Sequence, residues 1–168
     1  IPSFPVAILT AMHGVSFEAA SATLTAYMLC GAVGIFVGGF VAAKQKNSDK
    51  TVAATMVAGA VLLALCATGW LGATGTMVVL AGTGFAIGIG NPSRDMMIKK
   101  ATPKGATGRV YGTVYSGLDV GFAVSPLIFG RLMDQGMYAA CLYGAAIILL
   151  ISVGAALGVG MRTRNANA

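Results

Sequence analysis

Residues 137–160 read MYAACLYGAAIILLISVGAALGVG, twenty-four positions without one charged side chain. At about 1.5 Å per residue a helix of that length spans roughly 36 Å, enough to cross a hydrocarbon core of about 30 Å. Working outward, polar breaks mark four more long apolar runs, at 20–43, 51–70, 76–93 and 110–130, and a short one at 1–12. Over all 168 residues 57% are hydrophobic and 10% charged, where soluble domains carry roughly 25% charged residues. With a mean hydropathy of +0.82, a water-soluble domain and a disordered chain are both excluded. The expected fold is an all-α membrane protein, a polytopic transmembrane helix bundle with one partial span and five full spans. The run 1–12 covers only about 18 Å as a helix, so it reads as the outer end of a span whose start is missing, with Pro2 and Pro5 marking a kink. A start at Ile1 rather than Met fits a fragment.

The net charge of +6 points to membrane topology rather than to nucleic acid, because the basic residues sit in short segments between apolar runs. Lys44, Lys46 and Lys50 share one such segment; Arg94, Lys99, Lys100, Lys104 and Arg109 share another; Arg162 and Arg164 lie in the tail 161–168. If every long run crosses once, these ten fall on one side and Arg131 alone on the other. The positive-inside rule then makes the C-terminus cytoplasmic and puts His13, Gly72 and Gln135 outside. Trp70 and Tyr138 are expected at the outer interface.

The runs differ in kind. Those at 51–70 and 137–160 are nearly pure aliphatic, Ala and Gly, and are expected to face lipid, Thr55 and Ser152 included. Those at 20–43, 76–93 and 110–130 carry more Gly, Ser, Thr, Tyr, Asn or Asp and are expected to face protein or water. Asp119 is the sharpest signal, because a carboxylate near the bilayer midplane costs about 2.5 to 3.5 kcal/mol on insertion scales and marks function by default. On a helix, Tyr115, Ser116, Asp119, Phe122 and Pro126 share one stripe, while Gly117 and Gly121 point the other way. Asp119 is thus a candidate proton-coupling carboxylate, with Tyr115, Ser116, Asn91 and Tyr27 as candidate cavity-lining groups. A buried structural Asp is the plainer alternative. Gly31, Gly34 and Gly38 form a small-residue stripe on which helices approach closely, and Gly117, Gly121 and Pro126 are further candidate packing positions.

Other motifs carry little. GTGFAIG at 82–88 resembles a nucleotide fingerprint but lies inside an apolar span with no preceding strand. Cys30, Cys66 and Cys141 fall in separate runs, and His13 is the single histidine. No metal site, cofactor or catalytic pair is expected, and the protein is expected not to be an enzyme.

Six spans, a basic loop between the second and third and a longer basic loop between the fourth and fifth resemble the C-terminal half of a major facilitator superfamily transporter. GGFVAAKQKNSDK at 38–50 is similar to the family's loop motif, with Gly39 at its first Gly and Lys44 at its first basic position; Ala43 stands where the family has Asp. The spacing of Gly117, Gly121, Pro126 and Gly130 is similar to the Gly/Pro pattern of proton-coupled drug exporters, here in the symmetry-related helix. The resemblance implies alternating access about a midplane site, proton-coupled efflux of a small organic solute by an antiporter in the bacterial inner membrane, and a missing N-terminal six-helix half. A self-assembling half-size carrier or channel is the alternative.

Overall fold

The computed structural model describes residues 3–44, 48–103 and 105–165. These form six helices in chain order, α1 (Ser3–His13), α2 (Phe17–Lys44), α3 (Ser48–Ala67), α4 (Gly72–Ala101), α5 (Thr107–Asp134) and α6 (Tyr138–Asn165). The last five are long and apolar enough to cross a membrane. Pro5 falls in the first turn of α1, where its missing N–H leaves no helix bond unmade. Lys46 and Lys104 lie outside the described residues.

Two helices extend beyond the apolar runs that mark them. The segment 94–109 was expected as a loop, but α4 continues through Arg94 and Asp95 to Ala101 and encloses Pro92. Charge ended the apolar run without ending the helix, since Lys99 and Lys100 in the last turn complement the helix dipole. Likewise α6 runs on to Asn165, so residues 161–165 of the expected tail are helical.

The tightest joint is between α2 and α4. A Cβ built at Gly34 would strike the Phe85 carbonyl oxygen and come within 3.1 Å of Gly88 Cα, and one at Gly88 would strike the Gly31 carbonyl oxygen. Gly38 meets the backbone of Ile89, and Gly84 that of Tyr27. Rising numbers on both sides show that the two helices run the same way. Without a hydrophobic drive between helices in lipid, such backbone approach supplies the dispersion that holds them.

α3 returns antiparallel along α4. Gly69, at φ 70°, ends α3 in the left-handed conformation that glycine adopts without steric cost. Past that turn the Cys66 thiol donates to the Thr76 carbonyl at 4.0 Å, and at the far end Lys100 Nζ donates to Ser48 Oγ at 3.2 Å. α3 also packs on α6. The expectation that Thr55 and Ser152 face lipid is overturned: Thr55 lies against Gly90, and Ser152 lines a cavity between the helices. A helix apolar on every side gives no compositional clue to which side meets a neighbour.

α5 and α6 form a hairpin closed by a Schellman motif. Met137 N–H donates to Leu132 O and Gly136 N–H to Met133 O, both at 2.9 Å, with Gly136 at φ 73°. A core of Ile8, Leu9, Ala20, Cys66, Ala67, Leu80, Cys141 and Leu142 gathers near this end of the bundle.

Candidate functional site

α5 has no buried residue, yet it is anchored at both ends. Near its start the Tyr111 hydroxyl donates to the Asp95 carbonyl oxygen at 3.5 Å. Near its end Phe129 packs on the core, and its carbonyl accepts from the Cys141 thiol at 3.7 Å. Between these anchors α5 stands away from α3, α4 and α6 and borders a partly open cavity of about 700 Å³.

Each helix contributes a stripe. α4 turns Leu80, Thr83, Ile87, Arg94, Asp95 and Ile98 to the cavity, and α5 turns Tyr115, Gly117, Leu118, Gly121, Phe122 and Ser125. Tyr27 of α2 and Leu149 and Ser152 of α6 complete much of the wall. Most of this surface is aliphatic or aromatic. The polar groups are sparse: the Thr83 hydroxyl is turned back to Val79 O at 2.9 Å, whereas Ser125 Oγ is buried with no hydrogen-bond partner among the described residues.

The charged feature is the pair Arg94 and Asp95. Nε of the first lies 3.6 Å from Oδ1 of the second, with 33% and 46% of their side chains exposed. Both of those atoms are shielded and lack a hydrogen-bond partner among the described residues. At 3.6 Å the contact is an ion pair without a good hydrogen bond, so each group retains capacity for a further partner.

Of the residues singled out from sequence, Tyr27 and Tyr115 line this cavity together. Asp119 and Ser116 are exposed and do not. Asp119 sits about 100° round the helix from Leu118, the middle of the cavity stripe, on a face that the described helices leave open. Asn91 is half-buried on α4 but outside the lining. Gly31, Gly34 and Gly38 lie in the α2–α4 joint, whereas nothing stands within 4 Å of a Cβ at Gly117 or Gly121, and Pro126 is exposed. The positive-inside rule accounts for Arg94 as a topology charge, and it gives Asp95 no role. The helical spacing of Ile87, Arg94 and Ile98 across the apparent end of the span was the signal that linked them to one face.

A bundle of membrane-length helices around a large, mostly apolar cavity with a few polar groups defines an integral membrane protein built to admit a small molecule. The chain belongs to the Major Facilitator Superfamily, whose family model matches residues 1–167. It is therefore a membrane transporter of the major facilitator kind. No curated protein and no solved structure matches it. Among the described residues no group of His, Cys, Asp and Glu is placed to hold a metal ion.

Proposed function

We propose that the protein works by alternating access, exporting a small organic solute in exchange for protons across a bacterial inner membrane, with its C-terminus in the cytoplasm. The observation that carries the solute reading is the cavity of about 700 Å³ behind α5, well inside the range of about 300 to 1,000 Å³ for small-molecule sites. Orientation rests on the crowding of basic residues at one end of the bundle.

Asp119 is the proposed coupling carboxylate. It lies in the middle of α5, away from the helix ends that hold Arg109 and Arg131. Its exposed face is where a second six-helix half would pack, so that protonation at the joint between halves biases which side opens. Asp119→Asn keeps size and hydrogen-bonding capacity and removes the titrating proton. In proteoliposomes holding the full-length protein, the variant is expected to insert and exchange solute normally but to lose flux driven by a pH gradient. Wild-type proton-driven flux in that variant would make Asp119 structural and remove it from the mechanism.

A further inference from the structure

The cavity is long as well as large. Its lining runs from Leu80 to Ile98 on α4 and from Val114 to Phe129 on α5, about 27 and 22 Å of helix at 1.5 Å per residue. Its polarity is graded along that length. Arg94 and Asp95 lie within two turns of the α4 end at Ala101, whereas Ile8, Leu63, Phe129 and Leu142 line the opposite end. Gly117 and Gly121 present no side chain to the space between, which leaves a continuous path along α5.

Resting on the reading of this cavity as the solute site, we propose that it takes a single-chain amphiphile with a zwitterionic head. The head's anionic group is bound by Arg94 and its cationic group by Asp95, and the chain lies along α5 toward Phe129. Charge decides the head. A purely anionic head on Arg94 would bring a like charge against Asp95, and a purely cationic head on Asp95 would do the same to Arg94. A zwitterion meets both shielded groups, Arg94 Nε and Asp95 Oδ1, and adds no net charge to a site with no other charged lining residue among the described residues. The geometry also suits an amphiphile entering from a leaflet, because the charged pair lies toward a helix end and the apolar portion points into the bundle.

The test uses the full-length protein in nanodiscs and, as probe, myristoyl lysophosphatidylcholine with a photoreactive group at the end of its chain, cross-links being mapped by mass spectrometry. Labelling is expected near Phe129 and Leu142. Unlabelled tetradecylphosphocholine should compete, with myristate and tetradecyltrimethylammonium far weaker. Arg94→Gln and Asp95→Asn should each weaken that competition about tenfold or more, as expected on losing a charged hydrogen-bond partner, with Arg94→Lys and Asp95→Glu retaining part of it. Leu118→Trp, which fills the cavity, should remove the label. Labelling confined to the exposed face of α2 around Phe36 and Phe40, or equal competition by the singly charged amphiphiles, overturns the proposal. So does wild-type labelling in an Arg94→Gln variant of unchanged thermal stability. Cavity labelling without gradient-driven flux would support the amphiphile site and sink the transport cycle proposed above. Flux of another solute without cavity labelling would sink the amphiphile site alone.

Discussion

α2 and α5 are both 28-residue helices with repeated glycines, and they use those glycines in opposite ways. On α2, Gly34 and Gly38 bring backbone against the backbone of α4; on α5, Gly117 and Gly121 meet nothing within 4 Å and border the cavity. Removing a Cβ therefore makes contact in one place and room in the other. The α2–α4 pair is a rigid unit because two main chains are in register there. α5 is a wall held at two ends, the element best placed to move when the cavity fills or opens.

The largest expected effect lies in the rigid unit. Gly34→Leu must push apart two backbones, because the atoms in the way are the Phe85 carbonyl oxygen and Gly88 Cα rather than movable side chains. A cost of at least about 3 kcal/mol is expected, at or beyond the upper end for over-packing. Purified variant should be lost from the monodisperse peak in detergent, and Gly88→Leu should behave alike. Either variant folding with wild-type thermal stability would break the contrast, since the joint would then not hold the bundle.

Between these extremes stands Gly90, whose added Cβ would meet Thr55 Oγ1 at 2.5 Å and Thr55 Cβ at 3.3 Å. Here the obstacle is a side chain. Gly90→Ala should cost about 1 to 3 kcal/mol, and Thr55→Ala in the same protein should recover part of it by removing the nearer atom. Thr55→Ala alone should do little, because among the described residues that hydroxyl bonds back to Thr51 O and Val52 O of its own helix and to no other group. Thermal melts of the single and double variants form a cycle whose coupling should be about 1 kcal/mol. Strict additivity would show that α3 and α4 are farther apart in the working protein.

Much of this was legible in the sequence. Length and polarity reveal the membrane-spanning bundle, because the bilayer sets span length and excludes charge more strictly than any soluble core does. The glycine stripe of α2 could be read for the same reason, as close approach needs small residues at helical spacing. The cavity could not be read, because the composition of α5 points to a face against protein or water but does not fix its distance from α4. Arg94 and Asp95 carry no such signal, since a basic residue near a helix end satisfies the positive-inside rule whether or not its side chain turns inward, and the rule says nothing of an acidic neighbour. Asp119 shows the converse. Its midplane position drew attention, but helical phase puts it beside the cavity stripe rather than within it.

The smallest effect, and the one that most sharpens the contrast, is expected at Gly121→Ala. A methyl group there meets nothing within 4 Å, so no over-packing cost arises. Replacing Gly by Ala in a helix interior also gains up to about 1 kcal/mol in propensity. The variant should therefore melt at or slightly above the wild-type temperature, opposite in sign to Gly34→Ala, whose single methyl already strikes the Phe85 carbonyl. Flux should persist, because one methyl removes little of a cavity of about 700 Å³, and Gly121→Leu should then cut flux while leaving the melt unchanged. A loss of more than about 1 kcal/mol from Gly121→Ala, beyond what propensity explains, would mean that α5 closes onto α4 and α6 for part of the cycle. Gly121 would then serve close contact as Gly34 does, and the difference between the two helices would be one of timing rather than of role.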